Sequence, residues 1–184
     1  MHLIFLGLMI NTSSSMPLGI YHQTTKPIQR GDIVAICLPR DSQQYGLKRH
    51  YLRYGSTCKG SESLIKRILA VPGDSVTLTD NHLIVNGLKY SYQTRHQDTN
   101  GRSLKIYPRG HYPKTLGYWL IGTNNPHSWD SRYWGPISSK YLLAHLEGLI
   151  LKVPHKIQAR HCEDFRKIFF EKIRYCRDTL IASH

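Results

Sequence analysis

Ser13-Ser14-Ser15 runs directly into Met16-Pro17 and then Leu18-Gly19-Ile20-Tyr21. Proline fixes its own φ and biases Met16 towards extended geometry, while Gly19 permits a close backbone approach. The hydroxyls just upstream are therefore displayed from a stiff turn at the start of a strand, as a nucleophile is. A Ser-rich linker ahead of a first strand would carry the same letters, so the weight falls on whether the chain also supplies a base.

Ser63 to Val76 contains one. The apolar, β-type run Leu64-Ile65-Lys66-Arg67-Ile68-Leu69-Ala70-Val71 ends in Pro72-Gly73-Asp74. In a strand Lys66, Ile68 and Ala70 share one face and Ile65, Arg67 and Leu69 the other, so one of the two basic residues must face inward. A buried lysine loses the solvation of its ammonium, and its pKa falls until it can act as a neutral general base near neutral pH; arginine cannot. A lysine that snorkels to the surface along its alkyl stem is the alternative.

A third stretch, Gly122-Thr123-Asn124-Asn125-Pro126-His127-Ser128-Trp129-Asp130-Ser131-Arg132-Tyr133-Trp134-Gly135-Pro136-Ile137, is dense in hydrogen-bonding groups with aromatics between them. Asp130 and Arg132, two apart, point the same way in extended geometry and can form a charge-assisted pair, with Ser128 on that face.

Together, Ser-Met-Pro, Ile-Lys-Arg-Ile-Leu-Ala-Val-Pro-Gly-Asp and Asn-Asn-Pro-His-Ser-Trp-Asp-Ser-Arg-Tyr-Trp-Gly-Pro-Ile resemble, in order and spacing, the bacterial type I signal peptidases, the S26-type Ser/Lys-dyad proteases. Gly31-Asp32-Ile33-Val34 resembles a further short box of that family, so the resemblance runs from about Ser13 to about Ile150. Met16 is followed at once by Pro17, without the intervening residue of ordinary signal peptidases, and Asn124-Asn125-Pro126 replaces a Gly-Asp-Asn opening. Both departures are similar to the conjugative-transfer peptidases of the TraF type, which process pilin precursors.

The resemblance implies acyl transfer with Ser15 as nucleophile and neutral Lys66 as general base. It implies an oxyanion hole made by the Ser15 amide and the Ser13 side chain, Ser128 bonded to Lys66 to orient it, and Asp130 and Arg132 fixing that loop. No cofactor or metal is needed. The implied partner is an exported precursor with small residues before the scissile bond, a pilin in the conjugative branch, bound as an added strand on a sheet edge. One route open to the acyl-enzyme is attack by the substrate's own amine, giving a cyclic product. The implied place is the bacterial inner membrane, with the catalytic domain on the periplasmic side.

The elements that must position these residues are mostly β. Strands are expected at Leu18–Gln23, Ile33–Leu38, Ser75–Thr79, Leu83–Tyr90 with a turn at Asn86-Gly87, Tyr118–Gly122 and His145–Val153, beside the Lys66 strand. Asp41–Glu62 reads as a polar loop with interleaved tyrosines and basic residues, a composition that could bind single-stranded nucleic acid or form a solvated insertion near a membrane. Ser91–Lys114 reads as irregular, in the place where signal peptidases carry a cap. Leu3–Ile10, eight apolar residues, falls far short of the roughly 20 that span a bilayer; the family's anchor directly before the serine makes it the outer end of such an anchor, against a first core strand or helix. From Ile157, Phe165, Phe169, Ile173, Cys176 and Leu180 recur at helical spacing among arginines and lysines, a basic amphipathic helix. The expected organisation is thus the end of a membrane anchor or a signal segment over 1–12, a mainly β, signal-peptidase-like antiparallel domain with a small cap over 13–156, and a C-terminal amphipathic helix over 157–184.

One domain suits 184 residues, and the net charge of +13 asks for an anionic partner. At the outer face of an inner membrane that partner is an anionic lipid surface rather than nucleic acid. The four cysteines, at 37, 58, 162 and 176, show no metal spacing. Cys162 and Cys176 lie too far apart along one helix to pair; Cys37 and Cys58 could pair in an oxidising compartment. A Cys58 nucleophile lacks an ordered base. The rival classes are a self-cleaving repressor-type Ser/Lys domain, which would need a helix-turn-helix upstream, and a non-catalytic basic module binding nucleic acid or a secretion complex.

Overall fold

The computed structural model describes residues 7–152. In chain order the elements are β1 (Leu8–Asn11), β2 (Leu18–Thr24), β3 (Ile33–Ile36), α1 (Arg40–Lys48), β4 (Tyr54–Gly55), β5 (Gly60–Ser61), β6 (Leu64–Ala70) and β7 (Val76–Leu78). There follow β8 (His82–Val85), β9 (Leu88–Ser91), β10 (Gly110–Tyr112), β11 (Trp119–Ile121), α2 (Ser131–Trp134) and β12 (Leu142–Lys152). Mostly antiparallel β architecture results, as the alternating patterns predict, and the expected C-terminal helix lies outside the described residues.

A six-stranded antiparallel sheet runs β1-β2-β12-β3-β6-β11, and a second sheet of four runs β10-β7-β8-β9. The large sheet is covered on both faces at its centre. Opposed residues of an antiparallel pair share a face, so Lys66, opposite Val34, lies on the same side as Ile68 and Leu120. That side packs Val34, Ile36, Ile68, Leu120 and Ile137 together, while the other packs Met9, Met16, Tyr21, Ala35, Ile65 and Leu146. With apolar side chains on both faces, both basic residues of β6 are enclosed rather than one: Lys66 is buried, and Arg67 is half-buried with Nη1 donating to the Gly31 carbonyl at 2.6 Å.

Two expectations change. Within the stretch expected as the end of an anchor, Leu8–Asn11 is the edge strand β1, paired with β2 from Leu8↔His22 to Asn11↔Gly19. Its alternation explains why, since Met9 is buried while Leu8 and Ile10 face out; residues 1–6 lie outside the described ones. The polar stretch 41–62 is not a plain loop, because it begins in α1 and closes with the β4–β5 hairpin. Glycine within a short polar run argues against a helix, yet Gly46 is what lets α1 approach Trp129: a methyl there would come within 2.6 Å of the indole. Tyr45 stacks on the same ring at 6.0 Å and Tyr51 tilts against it at 5.3 Å. A Cys37–Cys58 disulfide, Cα atoms 5.4 Å apart, ties this insertion to the end of β3.

The Pro-Gly turn after β6 closes with the Asp74 N–H donating to the Val71 carbonyl at 3.1 Å. The Asp74 carboxylate accepts from Val71 N, Arg30 and Asn86, which joins this turn to the β8–β9 turn and to the segment before β3. These partners hold its carboxyl below the usual range.

Candidate active site

Between β1 and β2 the chain reverses through residues 12–17. Pro17 leads into β2 and Met16 is buried, leaving Ser13 and Ser14 exposed and Ser15 half-buried. The Ser13 hydroxyl accepts from Ser15 N and donates to Ser15 Oγ, each at 3.4 Å. Ser13 is thus beside Ser15, as the sequence leads one to expect, with the Ser15 amide directed at it.

β6 delivers Lys66 from the sheet interior. It is 1 % exposed, and its Nζ donates to Ser128 Oγ at 2.9 Å. Burial lowers its pKa from 10.5 to about 8; the Asp130 carboxylate opposes that shift and the Arg132 guanidinium adds to it. The amine is thereby poised to lose its proton in mildly alkaline conditions.

Ser128 and Ser15 meet at Gly122, which follows β11. A methyl at Gly122 would lie 2.1 Å from Ser128 Oγ and 3.1 Å from Ser15 Cβ. Both side chains therefore occupy the space that any larger residue at 122 would take. The loop that carries Ser128 also grips the serine turn: Asn124 N donates to the Ser15 carbonyl at 3.0 Å and Asn125 Nδ2 to Ser14 Oγ at 2.7 Å.

Behind Ser128 lies a buried ion pair. Asp130 is 0 % and Arg132 1 % exposed. Arg132 Nε donates to Asp130 Oδ1 and Nη2 to Oδ2, both at 2.8 Å, a forked, charge-assisted contact. Arg132 also reaches the carbonyls of Ser128 and Gln93, and Asp130 accepts from Gly122 N at 3.1 Å. The pair forms because Asp130 caps α2 and accepts from Arg132 N; extended geometry, the reason expected, is not what aligns it. Of the residues picked from the sequence, Ser13 is bonded to Ser15, and Lys66, Ser128, Asp130 and Arg132 form one hydrogen-bonded chain; the two sets flank the same glycine, Gly122.

Sequence reading missed Asn11, Gly122 and the Asn124–Asn125 grip. Asn11, two residues before Ser13, carried a usable sign, since an Asn at that offset can close an Asx-turn. His127 is exposed, and Cys58 is bonded to Cys37 and has no thiol. Among the described residues no group of His, Cys, Asp and Glu could hold a metal ion. Beside the serine turn runs a cleft of about 350 Å³, with Ser13 and Ser14 on one wall and Arg53, Glu62, Ser63 and Leu64 on the other.

Comparison with known proteins shows the family. Residues 8–150 match the family described as signal peptidase, peptidase S26. A plasmid transfer protein TraF of Escherichia coli is 32 % identical over 143 residues, covering 74 % of this chain and 79 % of that one. A conjugal transfer protein TraF of Agrobacterium fabrum is 33 % identical over 141 residues, 74 % and 78 % of the two chains. A signal peptidase I of Bacillus subtilis is 34 % identical over 90 residues, 44 % and 53 %. A match that takes in the serine turn, the lysine strand and the buried ion pair alike makes this chain a member of the signal peptidase family, peptidase S26.

Proposed function

We propose that the protein is a serine endopeptidase that removes the signal or propeptide of exported precursors, with pilin maturation in conjugative transfer as its setting. The observation that carries this reading is the buried Lys66 amine, held by Ser128 at 2.9 Å, with the Ser128 and Ser15 side chains crowded against the same glycine. Neutral Lys66 takes the proton from Ser15 Oγ as that oxygen attacks the scissile carbonyl. The tetrahedral oxyanion is met by the Ser15 amide and the Ser13 hydroxyl, both of which must turn from their mutual contact to the substrate. The C–N bond then breaks, and the lysine ammonium returns the proton to the departing amine. Water, deprotonated by Lys66, hydrolyses the ester; the substrate's own amine could replace it and leave a cyclic product. Asp130 and Arg132 hold the loop that presents Ser128. The cleft beside Ser13 and Ser14 suits an extended precursor lying as an added strand.

The place proposed is the periplasmic side of the bacterial inner membrane. A disulfide persists in an oxidising compartment. Ile10, Leu18, Leu149 and Ile150 are exposed around the β1, β2 and β12 ends nearest the serine turn, and a net charge of +13 suits anionic headgroups. Nucleic acid is not a proposed partner. Among the described residues no helix is long and apolar enough to cross a membrane.

The test is cleavage of a membrane-embedded pilin precursor by the purified full chain, with Ser15→Ala as control. Cleavage by wild type alone is expected, and equal processing by Ser15→Ala would defeat the reading. For the location, a C-terminal tag should be digested by external protease in spheroplasts; protection of the tag would place the domain in the cytoplasm.

A further inference from the structure

We infer that Asn11 is a positioning residue for the nucleophile, a single buried amide that closes the turn carrying Ser15. This rests on Ser15 being the nucleophile, as proposed above. Asn11 is the last residue of β1 and is 3 % exposed. Its Oδ1 accepts from Ser13 N at 3.0 Å, closing an Asx-turn. Its Nδ2 donates to the carbonyls of Ser13 at 3.0 Å, Met16 at 3.1 Å and Pro17 at 2.9 Å. An amide nitrogen has two hydrogens, so at least one of them is shared between acceptors. These contacts fall on both sides of Ser15 in sequence and leave its own side chain untouched.

Asparagine suits the place because the turn asks for an acceptor and two donors on one short stem. Aspartate would set a second oxygen against three carbonyl oxygens, leucine offers neither donor nor acceptor, and glutamine is one methylene longer. The turn has one more buried tie of this kind. Tyr21 OH donates to the Pro17 carbonyl at 2.7 Å, and burial pushes that phenol up to about 12, so it remains a donor wherever the enzyme works. Asn124 N holds the Ser15 carbonyl from the loop after β11. Ser15 is thus suspended between the Asn11 amide on one side and the 122–125 loop on the other, while the Asn11 bonds to Ser13, Met16 and Pro17 do not reach Lys66, which is held by the large sheet and Ser128 independently of Asn11. Loss of Asn11 would free one partner of the dyad and leave the other in place.

That independence defines the experiment. Purified full-length Asn11→Ala is assayed against the precursor from about pH 6 to about pH 10, and backbone amide exchange is followed in the same protein. Expected is a fall in kcat of about 100-fold, since a misplacement near 1 Å costs about that much. KM should stay within about twofold and the alkaline inflection should not move, because the surroundings of Lys66 are intact. The Ser13, Ser15 and Asn124 amides should exchange about tenfold faster or more, with those of β6 unchanged. A folded variant with kcat within about threefold of wild type, a displaced inflection, or unchanged exchange in the turn would overturn the proposal. If Asn11→Ala does not fold, Asn11→Ser takes its place. Its hydroxyl keeps an acceptor for Ser13 N but offers one donor, so its kcat should fall by about tenfold, and wild-type kcat would overturn the proposal. Wild-type protein that fails to cleave defeats the peptidase reading, whereas the exchange measurement still decides whether Asn11 holds the turn.

Discussion

The two sheets are stabilised in different ways. In the small one, β7 and β8 alternate cleanly: Val76, Leu78, Leu83 and Val85 are buried, their neighbours are partly exposed, and a tight turn joins β8 to β9. Its stability is area removed from water, and the buried side chains of β7 and β8 are all aliphatic. At the β6–β11 end of the large sheet Lys66, Ser128, Asp130 and Arg132 are buried as deeply, and each is tolerable only because the next one satisfies it. Burial of apolar groups is forgiving of small displacements; burial of charge is not. The same degree of enclosure therefore makes one region a scaffold and the other a device that tunes an amine.

The contrast is broken most sharply by Lys66→Arg. Arginine cannot lose its proton at any accessible pH, so cleavage should fall by at least about 10⁴-fold while the chain still binds precursor. Appreciable turnover by this variant would remove Lys66 from the mechanism. Asp130→Asn comes next: it strips the charge partner from a buried guanidinium and should lower stability by about 3 kcal/mol in urea unfolding, with activity falling too. A stable and fully active variant would mean that the ion pair does not brace Ser128. In the small sheet Leu83→Ala should lower stability by about 2–3 kcal/mol through lost burial and a cavity. Here kcat measured on folded protein should be unchanged, and a drop in kcat would show that the two sheets are coupled.

A fourth test uses pH. The unfolded chain keeps Lys66 protonated up to 10.5 and the folded one releases that proton above about 8. Between those values unfolding takes up a proton, so stability rises with pH. The contribution from about pH 7.5 to about pH 9.5 is about 2 kcal/mol, and it should vanish in Lys66→Met. An identical pH dependence in wild type and variant would show that Lys66 is not the group responsible. The smallest effect is expected for Arg67→Lys, which keeps the charge but loses the geometry of the bond to the Gly31 carbonyl: about 1 kcal/mol of stability with kcat retained. A larger loss of activity would place Arg67 in the site.

Much of this was legible in the residues themselves. The β pattern, the hairpin at Asn86-Gly87 and the pairing of Asp130 with Arg132 follow from local chemistry, because alternation, turn preference and complementary charge act over a few residues. Helix α1 was not legible, since its one buried residue, Gly46, is a poor helix former whose value lies in its contact with Trp129 more than 80 positions away. The short strand Leu8–Asn11 was masked by its own apolarity, which serves an anchor and an edge strand equally well.

Taken by itself, the sequence determined which groups could react, a serine on a stiff turn and a lysine within an apolar strand, and that a basic, mostly β chain would carry them. Only the tertiary structure decided how they are placed. The lysine amine falls to about 8 because the sheet face it lies on is covered by other segments, and Ser15 and Ser128 both crowd Gly122 because residue 122 has no side chain. Burial and convergence are properties of distant segments packed in three dimensions, and no local pattern encodes them.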